Sequence, residues 1–270
     1  MTFRSTFQGV VLVCVVAFVP LATFAGDGED KKSVKGYLAL GAAAVPDFEG
    51  SEDHEAVPFV AAKVDFGKLY IETRGLGARA NLSPFDQIEF GPALSFRNSR
   101  DDDVENELVA GLREVDSAFE AGAFVKVPFN GLLSKRDQLA FDLEVVTDVS
   151  DTHDGTLATL GVSYSYAPTM KFRLSGSLQA TYADDSYMET YFAIDADNAS
   201  RSGWSIYEAE GGVKDLGFSL AANYQFNAKW GLVGIAGYKK LLDDAADSPI
   251  VLEAGDENQY IIGLGLSYRF

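Results

Sequence analysis

Alternation of apolar and polar residues over stretches too long for a soluble sheet predicts an all-β protein, a transmembrane antiparallel β-barrel. Three observations carry that reading. The alternating stretches run to roughly ten to thirteen residues, the length a tilted strand needs to cross a bilayer, where sandwich strands average about five or six. Charged side chains recur in mid-strand on the polar face, which suits a wet or ion-paired lumen. The chain is 47% hydrophobic and 12% aromatic over 270 residues, yet outside the first 25 residues no apolar run approaches the ~20 residues of a spanning helix. Apolar residues at every second position give a hydrophobic exterior without a hydrophobic run. The balance of 40 Asp and Glu against 22 Lys and Arg, a net charge of −18, argues against nucleic-acid binding, since phosphates must be neutralised by cations. With this much apolar material the chain is not disordered.

The N-terminus reads as an address. Residues 1–8 carry one positive charge, Arg4, residues 9–22 are almost entirely apolar, and Thr23-Phe24-Ala25 places small residues at the −3 and −1 positions of a cleavage site. This is the three-part pattern of a secretory signal peptide, expected over 1–25 with the cut between Ala25 and Gly26 and the barrel domain over 26–270. Cleavage removes Arg4 and the single cysteine, Cys14, leaving 21 basic and 40 acidic residues, a net charge of −19. An exported chain without cysteine finds its stability in something other than disulfides.

The alternation is then followed along the chain. Ile88, Phe90, Pro92, Leu94 and Phe96 alternate with Glu89, Gly91, Ser95 and Arg97; Leu139, Phe141, Leu143 and Val145 alternate with Asp142 and Glu144. Phe172, Leu174, Gly176, Leu178, Ala180 and Tyr182 alternate with Lys171, Arg173, Ser175, Ser177, Gln179 and Thr181. Phe218, Leu220, Ala222, Tyr224 and Phe226 share one face, and the last segment places Tyr260, Ile262, Leu264, Leu266, Tyr268 and Phe270 on one side. The expected lumen charges are Glu89, Arg97, Glu120, Lys126, Asp142, Glu144, Lys171 and Arg173.

Turns give an orientation. Pro168-Thr169 and Asn227-Ala228 are short, whereas residues 98–116, 183–211 and 242–257 form long acidic connections. Short turns belong at the periplasmic end and long loops outside. Tyr166, Phe172, Phe226, Trp230, Tyr268 and Phe270 fall at the short-turn end, as an interfacial girdle requires. Strand candidates are 35–45, 57–66, 69–82, 87–97, 118–129, 138–149, 155–167, 170–182, 213–226, 229–241 and 258–270, eleven in all. Single-chain bacterial barrels have even numbers, so twelve strands are expected, with ten as the alternative. The missing strand lies either in 69–82, broken at Arg74-Gly75, or in 204–210.

The closing Tyr260 to Phe270, alternating and ending in an aromatic, is similar to the C-terminal assembly signal that the barrel-insertion machinery reads. Further stretches resemble the MipA/OmpV family in their order along the chain: Gly41 with Val45-Pro46-Asp47-Phe48-Glu49-Gly50-Ser51, then Arg74-Gly75-Leu76-Gly77, then Phe90-Gly91-Pro92-Ala93-Leu94 with Arg97. Leu108 to Val115 leading into Phe119-Glu120-Ala121-Gly122-Ala123 follows, and Tyr238 to Leu241 with Ser248-Pro249-Ile250-Val251 completes the set. The resemblance implies an outer-membrane barrel with a non-enzymatic role, in contact with outer-membrane lipid and lipopolysaccharide. It implies a scaffold joining a murein transglycosylase to a murein synthase, with a porin-like channel or surface adhesin as alternatives. It assigns no catalytic residue and no cofactor.

An outer-membrane hydrolase is the least favoured reading. Only His54 and His153 are available as bases, and His153 between Asp151 and Asp154 reads as a solvated loop histidine rather than a base with an orienting carboxylate. Asp101-Asp102-Asp103 and Asp243-Asp244 lack the spaced oxygen ligands of a calcium loop and read as solvated acidic faces. No metal site is expected, although the acidic outer loops are placed to share the divalent ions that bridge lipopolysaccharide.

Overall fold

The computed structural model describes residues 34–270; the expected leader and its cleavage site at Ala25 and Gly26 lie outside the described residues. Twelve antiparallel strands close into one barrel. They are β1 (Lys35–Pro46), β2 (His54–Phe66), β3 (Leu69–Arg74), β4 (Gly77–Asn81), β5 (Glu89–Arg97) and β6 (Ala118–Asn130). The second half comprises β7 (Asp137–Asp148), β8 (Thr156–Tyr166), β9 (Phe172–Ala183), β10 (Gly212–Gln225), β11 (Trp230–Leu241) and β12 (Asn258–Arg269). Each pairs with its neighbours in sequence, and β1 closes on β12 in a register that sets Leu40 opposite Leu266 and Ala44 opposite Ile262. Closure leaves both ends of the described chain at the short-turn end, where Gly36 and Phe270 exchange backbone hydrogen bonds of 3.2 and 3.1 Å.

The strand the alternation leaves unresolved is found at Arg74-Gly75. Gly75, at φ +57°, turns the chain back so that 69–82 becomes the hairpin β3–β4, whereas residues 204–210 contribute only an isolated bridge, Tyr207 to Ile194. Both strands of this hairpin are short. β2 meets β3 only over Lys63–Phe66, and β4 meets β5 only at Ala78 and Arg79. Proline explains part of this. The Phe90 N–H points toward β4 and donates to Asn81 Oδ1 at 3.1 Å, so the even-numbered positions of β5 face that neighbour, and Pro92 among them has no N–H to give. Likewise Ala62 of β2 donates to Thr73 at 2.9 Å, which directs Pro58 along the same, unpaired edge.

The period-two faces separate as hydropathy requires. Leu40, Leu160, Ile262 and Leu264 are each more than half exposed and point outward, a pattern suited to lipid. Trp230 against Tyr268 (5.0 Å) and Tyr224 against Phe226 (5.7 Å) mark the inner interface, and Phe96 against Phe119 (5.0 Å) and Tyr238 against Tyr260 (5.2 Å) mark the outer one.

The long connections, expected as acidic loops, fold into a helical cap over the outer mouth. Its helices are α1 (Glu107–Ala110), α2 (Asp185–Phe192), α3 (Ala196–Ser202), α4 (Asp243–Ala246) and α5 (Pro249–Leu252). Several of the acids are caps: Asp184 accepts from the Tyr187 N–H and Asp195 from the Asn198 N–H, while Asn106 and Ser248 start α1 and α5. The buried apolar clusters of the described residues center in this cap. Tyr187, Met188, Tyr191 and Phe192 pack with Leu241, Ala245 and Val251, and Phe48, Ile194, Trp204 and Ile250 form a second group. Burying each such large side chain contributes about 2 kcal/mol.

Candidate functional site

The site is a charged plug where the cap enters the barrel, and its centre is Glu49. The loop between β1 and β2 dips inward because Phe48 is drawn into the cap and Gly50 takes φ +103°, where an added Cβ would stand 2.8 Å from Val251 Cγ2. Gln259 clamps the loop: its Oε1 accepts from the Gly50 N–H at 3.2 Å, and its Nε2 donates to Ser51 O at 3.0 Å. Glu49 therefore projects among cations. Its Oε1 lies 2.5 Å from Lys214 Nζ and 3.2 Å from Lys239 Nζ, its Oε2 accepts from the Tyr187 hydroxyl at 2.5 Å, and Arg97 stands 3.8 Å away. Burial pushes the Glu49 carboxyl up, but Lys214, Lys239 and Arg97 outweigh it and hold the group well below the usual carboxylate range. Burial drives the Tyr187 hydroxyl well above its ordinary value, so it remains a donor.

A fully buried lysine beside a fully buried aspartate breaks the alternation rule. The register shifts between Val213 and Asp215, and this β-bulge turns both Lys214 and Asp215 inward, where Lys214 Nζ meets Asp215 Oδ2 at 2.6 Å. Lys239 also reaches Asp215, at 3.7 Å. On the other flank Arg97 Nε donates to Glu120 Oε1 at 2.5 Å, and the Arg97 guanidinium lies 4.7 Å from the Tyr187 ring centre.

His153 joins this network and is not solvated. It is 3% exposed, its Nε2 stands 3.3 Å from Glu120 Oε1, its Nδ1 accepts from the Gly155 N–H at 3.0 Å, and its ring packs edge-on to Tyr187 at 5.2 Å. The loop is drawn inward around Asp148, whose Oδ2 takes the N–H groups of Thr152, His153 and Asp154. The acid pair that frames His153 in sequence instead occupies left-handed backbone, Asp151 at φ 57° and Asp154 at φ 52°.

Below the plug a second set of ion pairs lines the lumen on the β2–β7 side. Arg74 reaches Asp142 (3.3 Å) and Glu144 (3.9 Å), Arg79 holds Glu72 (2.7 Å), and Lys126 holds Glu89 (3.0 Å), which also accepts from the Tyr70 hydroxyl at 2.7 Å. The facing wall is neutral and hydroxyl-rich, with Ser177 and Ser219 2.7 Å apart. Six of the eight charges expected in the lumen, Glu89, Arg97, Glu120, Lys126, Asp142 and Glu144, thus stand in these networks. Arg173 lies exposed near the inner rim and donates to Ser165 Oγ at 3.2 Å. Lys171 is in the turn before β9, because Thr169 Oγ1 takes the N–H groups of Lys171 and Phe172 and delays the strand. The outward row Tyr260, Ile262, Leu264, Leu266, Tyr268 and Phe270 runs down the lipid side of β12 and its end. Sequence reasoning missed Glu49, Lys214, Asp215 and Lys239 as one cluster. The signal for the first was its place in the Pro46 to Ser51 stretch, and for the middle pair the fault in the alternation at 213–215. Among the described residues no group of three His, Cys, Asp or Glu side chains is arranged to hold a metal ion.

A closed barrel with an apolar belt, two aromatic girdles and a charged lumen is an outer-membrane protein. The family model for MltA-interacting protein MipA matches residues 38–270, and the chain belongs to that family. YiaT of Escherichia coli strain K12, named as an outer membrane protein, is 28% identical over 124 residues, 46% of this chain and 48% of that one. The MltA-interacting protein of the same strain is 24% identical over 123 residues, again 46% and 48%. The chain thus spans about half the length of the curated relatives it matches. Among solved structures, an outer membrane channel from Pseudomonas putida F1 aligns over 91% of this chain and all of its own at 11% identity and a TM-score of 0.44.

Proposed function

We propose that the protein is an interaction barrel of the outer membrane, a scaffold that brings a murein transglycosylase and a murein synthase together at the periplasmic face. One observation carries this reading: the outer mouth is filled by a packed cap latched at its polar centre by the ion pairs of Glu49, Lys214, Lys239 and Arg97, which leaves the protein's surfaces, rather than a through-route, as its working parts. Family membership supports it. The test is a pull-down with purified full-length barrel in non-ionic detergent and purified murein transglycosylase. Specific retention is expected, and no retention over a control barrel would end the scaffold reading.

A channel is the second reading, favoured by the ladder of charges from Glu89 to Arg74 along the lumen. In planar bilayers the scaffold reading expects a silent barrel; steady unit conductance from the wild type would favour the channel.

A further inference from the structure

The inner rim reverses the charge of the molecule. In a chain of net charge −18, the short-turn end presents Lys35, Lys135, Arg136, Lys171, Lys229 and Arg269, all exposed. Among the described residues none of these six is ion-paired, and the acids nearby are committed elsewhere. Asp86 holds Lys68 at 2.9 Å, Asp65, opposite Lys35 in the β1–β2 register, lies 3.9 Å from Lys63, and Asp137 accepts the N–H groups of Leu132, Leu133 and Ser134 to close its own turn.

The cations follow one another around more than half of the barrel, from the β6–β7 turn to the start of β1. Ala167 donates to Arg136 O at 3.1 Å, joining the β6–β7 turn with Lys135 and Arg136 to the β8–β9 turn with Lys171. Gln225 donates to Lys171 O at 2.7 Å, which joins that turn to the end of β10 and so to the turn with Lys229, and Arg269 donates to Lys229 O at 2.7 Å beside the start of β1 with Lys35. Each cation stands within a few residues of a girdle aromatic: Phe129, Tyr166, Phe172, Trp230 or Phe270. That is the depth of the headgroups, which add only about 5–8 Å beyond each side of the hydrocarbon. Beside Lys135 and Lys171 the turns offer Leu133 and Met170, each 81% exposed, so the rim is amphipathic there like other interfacial segments.

From this placement we propose that the inner rim is a docking ring for anionic glycerophospholipid headgroups of the periplasmic leaflet, formed in order around the barrel by Lys135, Arg136, Lys171, Lys229, Arg269 and Lys35. The six cations lie at headgroup depth along more than half of the circumference, beside the exposed Leu133 and Met170, and a lipid annulus meets that arc along its whole length. The acidic outer end offers such headgroups nothing comparable, so the ring also distinguishes the two leaflets.

The experiment uses the full barrel in non-ionic detergent, exchanged into mixed micelles of phosphatidylglycerol or phosphatidylcholine, with bound lipid read by native mass spectrometry. Retention of phosphatidylglycerol at least tenfold above phosphatidylcholine is expected, falling steeply in 0.5 M salt. Each cation near a charged surface is worth roughly fivefold, so Lys135→Glu, Arg136→Glu and Lys171→Glu, which remove three cations and add three anions, together lower retention by at least about a hundredfold. Should that triple variant fail to fold, by loss of its heat-modifiable migration, Lys135→Gln and Lys171→Gln singly and the salt series on the wild type carry the test. Equal retention of the two lipids, or phosphatidylglycerol retention indifferent to the variants and to salt, overturns the proposal. So does full displacement by millimolar inorganic phosphate, which indicates a free-anion site. Loss of murein transglycosylase recovery in these variants without any lipid preference overturns it in favour of a protein partner.

Discussion

Glu49→Gln removes the one charge on which three cations of the plug converge while keeping the shape of the side chain. Removing one partner of a buried ion pair costs about 3–5 kcal/mol, because the other charge is left without compensation. Here Asp215 remains 2.6 Å from Lys214 and 3.7 Å from Lys239, and the amide oxygen still accepts from Tyr187, so the lower end, about 3 kcal/mol, applies. The loss falls on the cap rather than on the strand ladders, which do not depend on Glu49, and so appears as local opening. About 3 kcal/mol raises the open-cap population roughly 140-fold. Hydrogen exchange measures it: the amides of Ile194 and Tyr207, bonded to each other's carbonyls, and that of Val251 exchange faster by that factor, whereas β8 and β12 amides are unchanged. The pH dependence has a defined sign. The native carboxyl is held well below its ordinary value, so its contribution is complete above about pH 4.5 and is lost only as pH falls through the depressed value. Cap protection in the wild type is therefore flat from pH 5 to 8 with respect to this group. Unchanged exchange at Ile194 and Val251 in the variant, or equal acceleration in β12, would refute the assignment of the plug as the latch of the cap.

Gly50→Ala is expected to loosen the same latch by about 1–3 kcal/mol through its φ of +103° and the approach of Val251, read as increased protease cleavage within 184–211 while the barrel stays intact. Arg74→Ala leaves Asp142 and Glu144 without their shared cation; any conductance that variant shows in planar bilayers is cation-selective, and anion selectivity would contradict the lumen placement. Phe270→Ser removes the terminal aromatic of the expected assembly signal and is expected to lower the amount of folded barrel in outer-membrane fractions several-fold, measured by heat-modifiable migration; wild-type levels would remove that role.

What was legible in the sequence was whatever period two controls. Phe218 to Phe226 and Tyr260 to Phe270 needed only alternation to be placed on the lipid face, and the count of twelve followed once Gly75 was recognised as a turn. The β3–β4 hairpin stood only as one of two alternatives, because strands of six and five residues merge into one apparent stretch. The helices escaped for another reason. Segments of four to eight residues are too short to show a 3.6-residue period, although Asp184, Asp195 and the Ser248-Pro249 pair are start signals. The plug required knowledge that a bulge reverses one residue, since Lys214 and Asp215 on an ideal strand would point to opposite faces. His153 was misleading because its acidic sequence neighbours face away while Glu120, 33 positions upstream, supplies the carboxylate it meets.

Pro58 has a consequence for biogenesis. While a barrel is being inserted its strand edges are open, and an edge with regular N–H groups invites a strand of another chain. Here one of the two walls left with little pairing, that between β2 and β3, carries at the middle of β2 a residue with no N–H to give an intruder. A faulty ladder between two nascent chains would break at that point, and the chain is left to close on itself through β1 and β12.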